Sequence, residues 1–188
     1  MAHAHDVCPW WLGYLLVSPL RRLIEPPEKM LGPYVRTGTT VVEPGCGLGY
    51  FSLPLARLVG PDGRVVCVDR QEKMIAGLLR RARRAGLAGR IAASVCPADS
   101  LGLEATCGTA DLAVAIHMVH EVPDAGRLLA ELHAVLKPGG LLLVVEPPGH
   151  VTPAAFEETL TVADAAGFER TSLWTPGRRP GAVLKKPD

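Results

Sequence analysis

No stretch of this sequence is both long and apolar enough to cross a bilayer as a helix. The one candidate, Val7–Leu20, is broken by Pro9, Gly13 and Pro19, and no basic run precedes it as in a secretory leader. A cytoplasmic protein with no stable membrane insertion is therefore the expectation. Charge of one sign is also lacking. The formal net charge is +1, which argues against nucleic acid as the main partner, since phosphate backbones call for a basic face. Cysteines are five, an odd number with no C-x-x-C pair, so neither a disulfide framework nor a paired-cysteine zinc site is expected.

Aliphatic residues and glycine are abundant. The 188 residues suit a single domain, and 48% hydrophobic against 21% charged is ordinary for a globular one. The organising stretch is Val41-Val42-Glu43-Pro44-Gly45-Cys46-Gly47-Leu48-Gly49-Tyr50-Phe51. β-Branched residues end a strand, an acid follows, and alternating glycines lead into a helix over Leu53–Val59 with Pro54 in its first turn. Such a strand–loop–helix turn brings bare backbone close to a small molecule.

A dinucleotide-binding loop wants a small residue where Tyr50 stands and no acid at Glu43. An acid there opposes phosphate and suits a cationic ligand. Downstream, strands over Arg64–Asp69, Ile91–Val95, Ala110–Ile116 and Leu141–Val145 alternate with helices over Gln71–Ala85, Asp124–Leu136 and Pro153–Ala166. The helix 71–85 should turn Met74, Ile75, Leu78 and Leu79 inward and its arginines, from Arg80 to Arg84, outward. Gly139-Gly140 reads as the stop of the helix before them. The last strands, Phe168–Thr175 and Ala182–Lys186, have no helix between them and read as an antiparallel hairpin. The expected fold class is α/β: a Rossmann-like doubly wound sheet, mostly parallel with one antiparallel strand near the C-terminus. Residues 1–37 are expected to form an N-terminal helical lid segment, with Leu23, Met30 and Leu31 packing inward, and residues 38–188 the core.

The acid-preceded G-x-G-x-G loop resembles motif I of the class I S-adenosylmethionine-dependent methyltransferases. Leu136-Lys137-Pro138-Gly139-Gly140, leading to a strand that ends at Glu146, resembles the same family's entry into strand five. The resemblance runs from about Val41 to Glu146 and implies S-adenosyl-L-methionine as cofactor and a small-molecule acceptor. It implies cofactor contacts from Glu43, Gly45, Cys46, Gly47 and Gly49, and from Asp69, Arg70 and Met74. It extends them to Ala98, Asp99, Ser100 and His117. Independently of the family, acids at strand ends belong on the ligand-binding edge of an open α/β sheet.

His117 and His120 follow strand four, where the family faces its substrate. His120 is the candidate base or substrate anchor and His117 a pocket wall, with Glu121 as the candidate orienter of His120. Structural alternatives stand beside these roles. Each histidine could be a packed residue bonded to backbone, Met74 ordinary core, and Asp99 a helix cap. His3, His5 and Cys8 could hold a metal, though no fourth ligand stands nearby and none is expected, while Trp10 or Trp11 could shield a reaction from water. Two other functions are kept open: a non-catalytic cofactor-binding partner subunit and a nicotinamide-dependent oxidoreductase. A homodimer is compatible with the sequence.

Overall fold

The structure, a computed structural model, describes residues 21–173 and 179–188. The helices are α1 (Arg21–Ile24), α2 (Pro27–Leu31), α3 (Ser52–Leu58), α4 (Glu72–Arg84), α5 (Ala125–Val135) and α6 (Pro153–Ala165). The strands are β1 (Thr40–Pro44), β2 (Arg64–Asp69), β3 (Ile91–Val95), β4 (Ala110–Ile116), β5 (Leu136–Val145), β6 (Glu169–Leu173) and β7 (Gly181–Lys185). Backbone contacts divide the described residues into two compact units, 21–98 and 99–188.

In the first unit β1, β2 and β3 run parallel, with Glu43 opposite Cys67 and Asp69 opposite Val95. Val41, Val42, Val65, Cys67 and Val68 are buried, as expected of strands covered on both faces. Helix α4 buries Met74, Ile75, Leu78 and Ala82, one stripe at helical spacing. Arg81, Arg83 and Arg84 occupy its last turn, where cations complement the helix dipole. Arg81 departs from the expected outward face: it is half-buried and donates to the Leu48 carbonyl. Of the expected packing residues before β1, Met30 and Leu31 are buried, whereas Leu23 is 82% exposed.

In the second unit β4 and β5 are parallel, and β7 is antiparallel to both β5 and β6. The single reversed strand is the expected one. Asp124 caps α5 by accepting the Arg127 N–H, and Thr152 caps α6 by accepting that of Ala155. The expected glycine stop after α5 is corrected. The helix ends at Val135, Leu136 is already extended and pairs with Ala110, and Leu141 pairs with Leu112. Residues 137–140 therefore form a bulge within β5. Helix α5 ends instead on Lys186, whose ammonium donates at 2.9 Å to the carbonyls of both His133 and Leu136.

Leu128, Leu129, Leu132 and Val135 form the buried stripe of α5. Leu132 is completely buried. Truncating it to Ala should cost about 2–5 kcal/mol in chemical denaturation. Leu23→Ala, at a site 82% exposed, should stay within about 0.5 kcal/mol in the same assay.

Candidate active site

Strand β1 delivers Glu43 and Pro44 directly into the glycine loop. Gly47 and Gly49 have φ of 52° and 81°, which glycine adopts without strain. Their reasons differ. Among the described residues a Cβ on Gly47 would meet nothing within 4 Å, so that position leaves backbone open to a ligand. A Cβ on Gly49 would lie 2.3 Å from Leu78 Cδ1, so that glycine lets the loop pack on α4.

Asp69, at the end of β2, holds this loop. Its Oδ2 accepts the Gly47 N–H and its Oδ1 the Gln71 N–H, both at 2.9 Å. Burial raises the Asp69 pKa, and the two amides partly oppose the shift. The Cys46 N–H donates to the Val68 carbonyl at 3.2 Å, a second tie between loop and strand.

Glu43 is 4% exposed. The Cys67 thiol donates to its Oε2 at 3.7 Å, and the fully buried Ser52 hydroxyl lies beside it outside hydrogen-bond geometry. Burial pushes the Glu43 carboxyl up to about 8, with Ser52 and Cys67 opposing and the Asp69 charge adding to the rise. The Cys67 contact and burial push the Cys46 thiol well above its ordinary value as well. A glycine loop with open space at Gly47 and two carboxyls within one unit fits a cationic adenosine derivative.

The remaining expected contacts of this unit are less pointed. Arg70 is exposed, Met74 is 5% exposed within the α4 core stripe, and Ala98 is exposed. Arg21 and Glu25 form a clasp that the sequence reading missed. The Arg21 guanidinium lies 4.2 Å from the Tyr50 ring centre, and Tyr50 donates its hydroxyl hydrogen to the Glu25 carbonyl at 2.6 Å. Arg21 also donates to the Glu25 carboxylate at 2.7 Å. No local pattern marks Arg21 and Glu25 as partners of Tyr50, which lies 25 residues beyond Glu25. His3, His5, Cys8, Trp10 and Trp11 lie outside the described residues.

In the second unit, Asp99 opens no helix; its carboxylate accepts from Arg127 at 3.3 Å. Ser100 donates to Glu131 at 3.3 Å and accepts the Gly102 N–H at 3.0 Å. His117 directly follows β4 with φ 57°, a left-handed conformation uncommon for a residue with a Cβ, and donates its N–H to Val145 O at 2.7 Å.

His120 is engaged at two points by Glu146, the residue after β5. The Glu146 Oε1 accepts the His120 backbone N–H at 3.1 Å, and Oε2 lies 2.6 Å from Nδ1. Glu146 is 1% exposed, whereas the His120 side chain is 28% exposed. A carboxylate on Nδ1 requires the proton there, which leaves Nε2 of the neutral ring basic. The hydrogen bond to Glu146 raises the His120 pKa, opposed by partial burial. Glu121, the expected orienter, has its Oε1 3.9 Å from Nε2, too far for a hydrogen bond. Its place at a strand end put Glu146 on the expected ligand-binding edge, but nothing along the chain marks it as the partner of His120.

Among the described residues, no cluster of three or more His, Cys, Asp or Glu side chains is arranged to hold a metal. No described helix is long and apolar enough to cross a membrane.

The ubiquinone/menaquinone biosynthesis C-methyltransferase of Pasteurella multocida is 32% identical over 112 residues, covering 60% of this chain and 41% of that protein. The demethylmenaquinone methyltransferase of Lactobacillus johnsonii is 29% identical over 119 residues, covering 63% of this chain and 48% of that protein. This chain thus spans less than half the length of either relative. An S-adenosylmethionine-dependent methyltransferase of Aquifex aeolicus superposes with a TM-score of 0.84 at 22% identity, covering 95% of this chain and 98% of that one. A cyclase superposes with a TM-score of 0.71 at 20% identity over 88% of this chain and 81% of that one, so the fold alone does not fix the reaction. The family model described as a methyltransferase domain matches residues 41–140, just over half of the chain, and the protein therefore belongs to the methyltransferase-domain family, with the α/β Rossmann-like fold of the class I S-adenosylmethionine-dependent enzymes.

Proposed function

We propose that this protein transfers a methyl group from S-adenosyl-L-methionine to a small-molecule acceptor. The observation that carries this reading is the glycine loop, pinned by Asp69 through Gly47 and backed by the buried acid Glu43, which has no salt bridge among the described residues. Glu43 would face the cofactor's positive charge, Gly45, Cys46 and Gly47 its approach to the backbone, and Asp69 its ribose. Arg70, Met74, Ala98, Asp99 and Ser100 are assigned to the adenosine end with support from sequence position alone. The cofactor would supply an electrophilic methyl on a sulfonium, a good leaving group. The protein's larger task is alignment, which can supply roughly 7–11 kcal/mol.

His120 serves as base or anchor for the acceptor, and His117, held in its left-handed conformation, shapes the acceptor's surroundings. The relative from Pasteurella multocida is a C-methyltransferase of ubiquinone and menaquinone biosynthesis, which makes a carbon acceptor on a small ring the first class to try. The N-terminal residues 1–37 are assigned to a lid, and the Arg21–Tyr50 clasp supports anchoring of that segment beside the glycine loop.

Calorimetric titration separates this reading from a nicotinamide enzyme. S-Adenosylhomocysteine should bind with micromolar affinity and NADH should not bind. Saturable NADH binding without S-adenosylhomocysteine binding would reverse the assignment. Labelled-methyl transfer into acceptor pools then separates an enzyme from a cofactor-binding partner subunit.

A further inference from the structure

We propose that buried Glu146 is a positioning residue that fixes His120 as a general base, so that the acceptor is one that arrives protonated, a hydroxyl or an activated carbon acid. This rests on the methyl-transfer reading above. A tertiary amine or a thioether has no proton to lose and would not need such a pair.

The geometry is that of a built pair rather than a chance surface contact. One carboxylate takes both the His120 backbone N–H and the ring Nδ1, at 3.1 and 2.6 Å, so it sets the position of the residue and the orientation of its ring together. The main chain around Glu146 is itself held in place. The Glu146 N–H donates to the Pro180 carbonyl at 2.8 Å, and one residue earlier Val145 O takes the His117 N–H at 2.7 Å. The loop after β4 is thus tied to the end of β5 at both histidines. Burying an ionised carboxylate costs several kcal/mol unless it is paired and hydrogen-bonded, and an apolar pair of the same volume is often at least as stable. A buried acid aimed at a half-exposed imidazole therefore suggests a task beyond stability.

Other ionisable groups near the ring are Glu121, 3.9 Å from Nε2, and His150, whose ring centre is 6.3 Å away in the loop after β5. Glu121 faces Nε2 rather than Nδ1, and the partner at Nδ1 is Glu146. The proton balance is simple. As the acceptor's electron pair closes on the methyl carbon, the carbon–sulfur pair stays on sulfur and the acceptor's proton passes to Nε2 of His120. Glu146 holds Nδ1–H throughout and neutralises the resulting imidazolium. The half-exposed ring then returns its proton to water.

The test begins without any cofactor. Nitrogen-15 NMR of the wild-type protein should show His120 protonated at Nδ1 in its neutral form and titrating above an ordinary histidine. A neutral His120 carrying its proton on Nε2 would overturn the proposal with no variant needed. Glu146→Gln should bring the titration down by about one pH unit or more and lower kcat by about 100-fold, within the span of general-base effects. It should also shift the acid limb of the kcat profile in the same direction. Glu146→Asp should restore part of both. S-Adenosylhomocysteine affinity should stay within about twofold in both variants. Failure of wild-type protein to bind that ligand would instead count against the methyl-transfer reading. A folded Glu146→Gln protein with an unmoved His120 titration and unchanged kcat would overturn the positioning role.

Discussion

Replacing Asp69 by alanine is expected to lower affinity for S-adenosylhomocysteine by about 100-fold or more. One carboxylate carries two loads in this structure. It accepts the N–H groups of Gly47 and Gln71 at 2.9 Å each, and by position it would meet the ribose hydroxyls. Alanine leaves both amides without their acceptor, and each such loss costs about 1–3 kcal/mol where water cannot reach. Gly47 has φ 52°, and among the described residues nothing lies within 4 Å of where its Cβ would stand, so losing the Asp69 contact would loosen the loop that presents this backbone. At about 1.4 kcal/mol per tenfold change, one lost ligand contact and one loosened loop amide together reach the expected effect. Asp69→Asn keeps an oxygen acceptor and should fall between the two. Calorimetric titration of all three proteins checks the order. Equal affinity for wild type and alanine variant would remove Asp69 from the site.

The double duty of Asp69 also shows where the sequence was legible. Its place at the end of a strand, one βα unit past the glycine loop, follows from periodicity and turn chemistry, which are local. The bond from Asp69 to Gly47 depends on how two strands lie in register, Glu43 opposite Cys67, and spacing along the chain does not encode which amide an acid reaches. The same limit explains the histidines. Glu121 is adjacent to His120 in sequence and was the natural candidate to orient it. On the short turn over Val119–Glu121, the neighbouring acid reaches Nε2 only to 3.9 Å, and the partner at Nδ1 comes from β5, 26 residues on. The bulge at 137–140 was misread for a related reason. A proline and two glycines after a helix look like its stop, yet the pairing of Leu136 with Ala110 makes the chain extended before they are reached. Met74 shows the opposite case, since its burial on the α4 stripe is the core role that amphipathic spacing alone indicates.

Glu43 should make the protein's stability and its cofactor affinity respond to pH in opposite senses. Its pKa rises from the ordinary 4.5 in the unfolded chain to about 8 in the folded one, chiefly through burial. The folded state therefore binds this proton more tightly. Its stabilising effect is fully present below pH 4.5 and is lost as pH rises through about 8. Between pH 4.5 and 7 the loss from this one group is about 3 kcal/mol, at 1.36 kcal/mol per pH unit. Cys67, Ser52 and Cys46 cannot compensate, being neutral, and Asp69 is itself an acid. A cationic ligand reverses the balance by favouring the ionised carboxyl, so cofactor binding below pH 8 should release a proton and tighten as pH rises toward that value. Glu43→Gln keeps the shape without the titration. In denaturant unfolding at pH 5, 6, 7 and 8, the variant should gain on wild type steadily with pH, while its cofactor affinity falls about 10-fold or more at pH 8 and no longer varies with pH. Heats of cofactor binding in buffers of different ionisation enthalpy should coincide for the variant and diverge for wild type. A constant stability difference across that range, with no proton released by wild type on binding, would mean that Glu43 is ionised in the free protein and that its burial is compensated elsewhere.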